Sequence, residues 1–277
     1  MHKTFLFVSA QYLPTTGGVE RYTNNLAKKL ISQGHKAIVV TSALAGLPVR
    51  ETDPDGIEIF RLPSWPLMGG RLPVLHLNQE LRRLTDELWQ MPIDYCVINT
   101  YFYPLSMYFS WQMYRKKIPA ILINHGSAWL MTGNPILQFA GRVYEYIAAK
   151  LCHHYCPRFF GVSSAAEIWL KNFGISASGT VTNAIDPDQV LEEVSDIDWR
   201  KQLSLPENAK IIAFVGRMIP EKGVDQLIAA MEYIRQVHPN TYLLMAGTGP
   251  LMNKYQYTHT DGVCLLGSQP YPNVLAL

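Results

Sequence analysis

Residues 211–223 constrain the fold of this chain more than any other stretch. An apolar, β-branched run ends at Gly216, and a short turn then leads into a segment of helical periodicity that begins after Gly223. A buried strand followed by a turn and a helix predicts an open parallel α/β sheet, in which ligands bind at the carboxyl ends of the strands. The turn carries two cations, Arg217 and Lys222, beside the free N–H groups of the helix N-terminus.

The two cations on this turn are candidate anion-binding residues. Arg217 and Lys222 suit a diphosphate, because fixed positive charge stabilises a group whose negative charge grows as it leaves a sugar. The alternative is an exposed turn with two solvated charges. The turn alone does not decide between these interpretations, and the rest of the chain is needed.

Strands and helices alternate along the whole chain. Strands are predicted at residues 5–9, 36–41, 57–62, 95–98, 120–123, 159–162, 179–182, 211–215, 242–246 and 263–266. Helices are predicted at residues 19–31, 75–91, 101–117, 139–154, 164–173, 224–237 and from 271 onward. The strands are continuously apolar, which is typical of a sheet covered on both faces. The sequence therefore predicts the α/β class.

An acidic segment separates two groups of these elements. Residues 188–208 contain Pro206 and precede a second strand–turn–helix unit, so we interpret the segment as an interdomain linker. The predicted division is a first domain at 1–190, a linker at 191–208 and a second domain at 209–277. Residues 43–73 are predicted to be loop apart from one strand.

Composition excludes several classes of protein. The 277 residues carry a formal net charge of +2, which is too small to indicate nucleic-acid binding. The four cysteines lack zinc-pair spacing and indicate reduced thiols in a cytoplasm. We expect no signal peptide in residues 1–10, and no apolar run reaches the roughly 18–20 residues that cross a bilayer.

A pair of glycines, Gly17-Gly18, lies between the first strand and the first helix. Such a pair permits positive φ and close approach of the backbone to a ligand. The alternative is that the two glycines simply make the turn. The loop is not the dinucleotide fingerprint, because the later glycine of G-x-G-x-x-G is missing.

His125 follows a predicted strand at its carboxyl end. A histidine at that edge can bind a sugar hydroxyl or donate to a phosphate. The ordinary alternative is a loop histidine that is satisfied by backbone groups. The residue alone leaves both open.

Two further segments have a functional and a structural interpretation. The aromatic helix at 101–117, with a basic C-terminus, is either an amphipathic helix at lipid headgroups or a packed core helix, and we favour the core. Cys152, His153, His154 and Cys156 are metal-capable but make a poor tetrahedral set, so we favour a metal-free structural role.

Five motifs in this order resemble a known family. They are Gly17-Gly18-Val19-Glu20-Arg21, His125-Gly126, Asn183-Ala184-Ile185-Asp186, Gly216-Arg217 with Glu221-Lys222-Gly223, and Ala246-Gly247-Thr248-Gly249-Pro250. Together they resemble the retaining, nucleotide-sugar-dependent glycosyltransferases of family four, over essentially the whole chain. The resemblance implies the GT-B fold, with two Rossmann-like domains of parallel sheet and helices on both faces. The first domain would bind the acceptor and the second the donor.

The resemblance also implies roles for single residues. Arg217, Lys222 and His125 would form the catalytic set, and Asn183, like His125, would contact the transferred sugar or the acceptor. The donor would be bound by the two cations and by glycines, namely Gly17, Gly18, Gly216, Gly247 and Gly249. The Asp53-Pro54-Asp55 pair lies in a predicted turn and not at a strand end, so we expect metal-independent transfer, with no cofactor besides the nucleotide sugar as co-substrate.

The chain departs from the family pattern at its end. Family members continue into an E-x₇-E motif that binds the donor, and this sequence ends at Leu277, before it. We therefore expect an incomplete second domain and poor transfer by this chain. The alternative function is a non-catalytic acceptor- or nucleotide-binding fragment or subunit. A nicotinamide-dependent sugar-nucleotide epimerase is excluded, because its glycine fingerprint is missing.

The expected partners are a nucleotide-sugar donor and a glycan or lipid-linked acceptor, and not nucleic acid. The family analogy favours surface polysaccharide assembly, such as lipopolysaccharide. The expected location is cytoplasmic, with peripheral contact at the inner face of the cytoplasmic membrane.

Overall fold

The computed structural model describes residues 2–15, 17–68, 70–129, 134–185, 187–256 and 260–277. The chain divides into two compact units, Met1–Ala184 and Ile185–Leu277. Each unit has its own parallel sheet and its own apolar core.

The first unit is built around a seven-stranded sheet. The strands of the whole unit, in chain order, are β1 (Thr4–Val8), β2 (Lys36–Ser42), β3 (Arg50–Thr52), β4 (Glu58–Leu62), β5 (Ser64–Leu67), β6 (Leu72–Leu75), β7 (Tyr95–Asn99), β8 (Ala120–Asn124) and β9 (Phe159–Gly161). The sheet order is β3-β4-β2-β1-β7-β8-β9, and every pair except β3–β4 is parallel. The strands β5 and β6 form a separate antiparallel hairpin.

The helices of the first unit cover both faces of its sheet. They are α1 (Gly18–Ser32), α2 (Gln79–Trp89), α3 (Pro104–Lys116), α4 (Pro135–Tyr155) and α5 (Ser164–Leu170). On one face Leu6 of β1 belongs to the same buried cluster as Phe109 of α3. On the other face Phe7 belongs to a cluster with Ala27 of α1. Burial on both faces explains the apolar strands without alternation.

The second unit has three parallel strands in the order β10 (Lys210–Val215), β11 (Thr241–Ala246) and β12 (Val263–Gly267). Its helices are α6 (Pro187–Glu193), α7 (Trp199–Gln202), α8 (Val224–Val237), α9 (Met252–Gln256) and α10 (Tyr271–Leu275). Helix α8 buries one apolar stripe on this sheet, since Ile228 and Met231 share a core cluster with Leu243 and Met245.

The α/β class is confirmed, and several local predictions are corrected. Residues 43–73 hold β3, β5 and the start of β6 in addition to the predicted strand. The helix predicted at 75–91 begins only at Gln79, because Asn78 caps it and accepts a hydrogen bond from the N–H of Leu81. The strand predicted at 179–182 is reduced to a single bridge between Thr180 and Gly161.

The segment predicted to be a linker, residues 191–208, is folded within the second unit. It contains the end of α6 and all of α7. Trp199 is buried there, and its Nε1 donates to the carbonyl oxygen of Asn273 at 3.0 Å. An indole so packed ties the segment to α10.

Candidate functional site

In the first unit, the candidate residues lie at the carboxyl edge of the sheet. The strands β1, β7 and β8 are parallel neighbours, so the segments that follow them meet at this edge. Asn99 ends β7, and His125 directly follows β8. Gly17 and Gly18 begin α1 after β1.

A relay of hydrogen bonds joins His125 to α1. The Nε2 atom of His125 lies 2.8 Å from Oδ1 of Asn99, and Nδ2 of Asn99 donates to Oγ1 of Thr23 at 3.0 Å. The hydroxyl of Thr23 in turn donates to the carbonyl oxygen of Val19 at 2.8 Å. Asn99 and Thr23 are both buried.

The relay determines which nitrogen of His125 carries the proton. The single hydroxyl proton of Thr23 goes to Val19, so its oxygen accepts from the amide nitrogen of Asn99. The amide oxygen of Asn99 therefore faces His125 and accepts from a protonated Nε2. This leaves Nδ1 of His125 with a lone pair that can accept from a hydroxyl group.

The surroundings keep His125 neutral. Burial lowers the pKa of His125 to about 4, and the ring of Tyr22 contacts it edge-on with centroids 5.0 Å apart. Burial also raises the pKa of the Tyr22 phenol. The partner of His125 is thus a side chain and not the loop backbone, and at neutral pH the ring is suited to accept from a hydroxyl rather than to bind an anion by charge.

Gly17 and Gly18 lie between β1 and α1, where the sequence placed them, and neither uses the positive φ that a glycine permits. Gly17 is the N-cap of α1 with φ −170°, an extended backbone that any residue adopts, and Gly18 is its first helical residue. The alternative interpretation, in which the two glycines simply make the turn into the helix, agrees with these backbone angles. A Cβ on Gly17 would meet the carboxylate of Glu20, whereas a Cβ on Gly18 would meet nothing within 4 Å. Gly18 therefore leaves open space at the helix N-terminus.

In the second unit, two glycine loops are interlocked. Met218 is buried, its N–H donates to the carbonyl oxygen of Thr248 at 2.8 Å, and its carbonyl accepts from Leu251 at 3.1 Å. A Cβ on Gly249 would come within 2.4 Å of the carbonyl oxygen of Met218. At Gly247, a Cβ would also collide with a backbone carbonyl of the other loop. These two glycines allow the loops to pack against each other, which the sequence did not predict.

Anchoring at Met218 leaves the two candidate cations exposed. Gly216, with φ 158°, directly follows the strand β10 and precedes Arg217, while Lys222 closes a 3-10 turn before α8. Among the residues that the structure describes, neither cation forms an ion pair. Both charges are available to an external anion.

Asn183 lies near the end of the first unit and is exposed. Two residues before it, the N–H of Val181 donates to the carbonyl of Gly161 at 2.9 Å, so the segment follows the end of β9. Asp186, the last residue of that motif, lies outside the described residues. The role of Asn183 stays a prediction.

In the cysteine–histidine segment at the end of α4, the two cysteines are packed in the core and His154 is exposed. Cys152 and Cys156 are buried, and burial raises the pKa of each thiol to about 12. In the described ranges, no group of three or more His, Cys, Asp or Glu side chains could hold a metal ion. Asp53 and Asp55 lie in the β3–β4 turn, where Oδ1 of Asp53 accepts from the N–H groups of Asp55 and Ile57.

Sequence reasoning missed Asn99 and Thr23. Asn99 is a polar residue at the carboxyl end of an apolar strand, which is a usable signal for this edge. Thr23 has no such signal, because it lies inside α1 and 76 residues from its partner.

Comparison with known families decides the class. Glycosyltransferase Family 4 matches residues 16–189, and Glycosyl transferases group 1 matches residues 195–277. The chain belongs to glycosyltransferase family 4. The first match contains the relay of the first unit, and the second match contains both exposed cations of the second unit.

Similar proteins have diverged far in sequence. The chain is 21% identical to alpha-monoglucosyldiacylglycerol synthase of Acholeplasma laidlawii, over 87% of this chain and 62% of the relative. It is 24% identical to GDP-mannose-dependent alpha-mannosyltransferase of Corynebacterium glutamicum, over 92% of this chain and 60% of the relative. The family-4 chain therefore spans about three fifths of the length of these two relatives.

Solved structures share the fold. A sucrose-phosphate synthase from Thermosynechococcus elongatus superimposes with a TM-score of 0.71 at 18% identity, covering 99% of this chain and 72% of that one. HepE of Anabaena superimposes with a TM-score of 0.63 at 17% identity, covering 99% and 71%. These likenesses confirm the GT-B architecture predicted from the sequence.

None of the helices in the described part of the chain combines the length and the apolarity that crossing a membrane requires.

Proposed function

We propose that this family-4 chain transfers a sugar from a nucleotide-sugar donor to a glycan or lipid-linked acceptor, with retention of anomeric configuration. The observation that carries the proposal is the pair of exposed cations, Arg217 and Lys222, on the turn between β10 and α8. Membership of family 4 supports the reaction class. Among the relatives, the Corynebacterium mannosyltransferase is GDP-mannose-dependent by name, which supports a nucleoside diphosphate as leaving group.

In this proposal the cations stabilise the departing diphosphate. Arg217 offers a planar fork of N–H donors to two phosphate oxygens, and Lys222 adds a second charge. Positive charge that is already in place when the glycosidic bond breaks lowers the barrier without reorganisation. Gly18, at the open N-terminus of α1, would add backbone N–H groups.

His125 and Asn183 would contact the sugar or the acceptor. The lone pair on Nδ1 of His125 would accept from a hydroxyl group, and its low pKa keeps that lone pair free at neutral pH. The exposed amide of Asn183 can both donate and accept. We further propose that the transfer needs no metal, since side chains supply the positive charge, and chelation by EDTA is expected to leave the rate unchanged.

The acceptor is proposed to be a lipid-linked glycan in surface polysaccharide assembly, reached at the inner face of the cytoplasmic membrane. The Acholeplasma relative is by name a synthase of a glucosyl diacylglycerol, which supports a lipid acceptor. This part of the proposal is independent of the donor chemistry.

A transfer assay tests the reaction. The chain is incubated with radiolabelled UDP- and GDP-sugars and lipid-linked acceptors, and the product is analysed for label and anomeric configuration. We expect α-linked product from an α-linked donor, and a loss of about 100-fold in Arg217→Ala. Lys210→Ala, at the opposite end of β10, is the control and should retain its rate. Nucleotide binding without any transfer would favour the non-catalytic alternative.

A further inference from the structure

Helix α4 is apolar on two opposite sides, and only one of them is buried. The buried side is narrow and contains small residues, Ala148, Ala149 and Cys152, together with Glu145. The other side exposes six large apolar side chains, with exposed fractions from 39% to 79%: Ile136, Phe139, Val143, Tyr146, Ile147 and Leu151. A helix of a globular protein normally presents polar residues there.

The spacing of these six residues makes one continuous stripe. They recur at intervals of three, four and seven residues, which places them on one side of an α-helix. From Ile136 to Leu151 the stripe extends roughly 22 Å along the helix axis. Scattered exposed apolar residues need no explanation, but a contiguous patch of this size marks an interaction surface.

The charges on the exposed side of α4 are all positive. Arg142 and Lys150 are exposed, and the one acidic residue of the helix, Glu145, is buried and accepts a hydrogen bond from the Tyr101 hydroxyl at 2.8 Å. Lys150 follows Tyr146 by one helical turn, and its Nζ lies 5.7 Å from the centroid of that ring. The lysine is therefore part of the apolar stripe.

A lysine within the stripe decides between the candidate occupants. An apolar groove of a partner protein would have to bury this charge. A second copy of α4 would bring the same two cations and no exposed acidic residue. A lipid surface accommodates both features, because acyl chains cover the apolar side chains while Lys150 and Arg142 extend to anionic phosphates.

We infer that the exposed stripe of α4 lies on an anionic lipid surface. This inference rests on the proposed function, since it supplies the surface at which a lipid-linked acceptor is reached. It also assigns the proposed membrane contact to α4 and not to the aromatic helix at 101–117, for which the core interpretation is favoured. In α3 the apolar residues Leu105, Phe109 and Met113 are buried, which agrees with the core interpretation of that helix.

Vesicle flotation tests the inference without any need for activity. The full chain is mixed with vesicles of phosphatidylcholine alone, or with phosphatidylglycerol added, at low and high salt. We expect the protein to float with the anionic vesicles, and less so at high salt. The double variant Phe139→Ser with Ile147→Ser should float about tenfold less, and Lys150→Glu should lose the preference for anionic lipid.

The control is Ile168→Ser, which removes an exposed apolar side chain on α5, outside the stripe. Thermal unfolding of each variant, followed by circular dichroism, tests whether the fold is retained. The inference is overturned if the unmodified chain stays at the bottom with anionic vesicles, if the stripe variants float like the control, or if sedimentation shows that the stripe instead joins two copies. A chain that floats but transfers no sugar refutes the proposed function alone, and one that transfers to a soluble acceptor without floating refutes this inference alone.

Discussion

Asn99 fixes the tautomer of His125 across neighbouring strands, through the 2.8 Å contact between its Oδ1 and Nε2 of the imidazole. Thr23 orients the amide of Asn99, so the orientation of the imidazole depends on a residue of α1. The arrangement resembles the outer partners that orient ligating histidines in other sites. It leaves Nδ1 as the atom that meets a substrate hydroxyl.

Removing the side-chain amide of Asn99 should allow His125 to populate both of its neutral tautomers. In Asn99→Ala we expect ¹⁵N chemical shifts of His125 to change from a single Nε2-protonated form to a mixture of tautomers, and any sugar transfer to fall about 10-fold. Asn99→Asp keeps the acceptor but adds a negative charge, so the pKa of His125 should rise. Unchanged ¹⁵N shifts in Asn99→Ala would contradict the relay.

His125 should make the folded state less stable in acid. Its pKa is about 4 when folded and 6.5 for the unperturbed group. As the pH falls, His125 therefore binds a proton in the unfolded state before it does so in the folded state. The folded state keeps its full stability above pH 6.5 and loses stability as the pH falls towards 4. We expect the unfolding free energy of the wild type, measured in urea, to fall by about 1–3 kcal/mol more than that of His125→Gln between pH 7 and pH 4. Parallel pH curves for the two proteins would show that burial does not lower this pKa.

Glu145 should have the opposite pH dependence. Burial is the main cause that raises the pKa of this carboxyl, against the hydrogen bond from Tyr101. The contribution of Glu145 to the stability of the folded state is complete below the pKa that the carboxyl has in the unfolded state. It is lost as the pH rises through the higher pKa of the folded state. Glu145→Gln keeps an acceptor for the Tyr101 hydroxyl, so the variant should be more stable than the wild type at pH 8 and lose that advantage at pH 4. Equal unfolding free energies at pH 8 would refute this expectation.

Alanine substitutions should distinguish candidate glycines that are needed for folding from those that face a ligand. Gly247→Ala places a Cβ against a backbone carbonyl at φ 140°, so we expect a loss of about 2–4 kcal/mol in the unfolding free energy of the second unit. Gly18→Ala has open space and replaces glycine in a helix, so stability should stay the same or rise by up to about 1 kcal/mol. Its nucleotide affinity should fall if the diphosphate approaches there. Equal losses of stability in the two variants would contradict the assignment.

Much of the fold follows from apolar runs and their end signals. The helix α8 has the predicted bounds because Gly223 adopts a left-handed conformation before it and the residues after Val237 break the pattern. The hairpin of β5 and β6 was missed because Pro66 and Pro73 favour a loop, although proline is tolerated in edge strands and these two residues pair directly.

The candidate site was predictable only where one segment carries the signal. Arg217 and Lys222 are read from a single turn, and His125 from the end of a single strand. The relay and the interlocked loops depend on pairs far apart in sequence, such as Met218 with Gly249, whose contacts follow from the sheet order. The sequence likewise did not predict that the α4 stripe is exposed, because the opposite, buried side of the helix also contains apolar residues.

The most direct test of the central claim is calorimetric titration of the 277-residue chain with UDP and GDP. We predict that at least one of them binds, that Arg217→Ala and Lys222→Ala each raise its Kd about 10-fold or more, and that Lys210→Ala leaves it unchanged. Such a result would assign the diphosphate to the turn after β10. Failure of both nucleotides to bind, or binding that survives loss of both cations, would contradict the donor site and the function built on it.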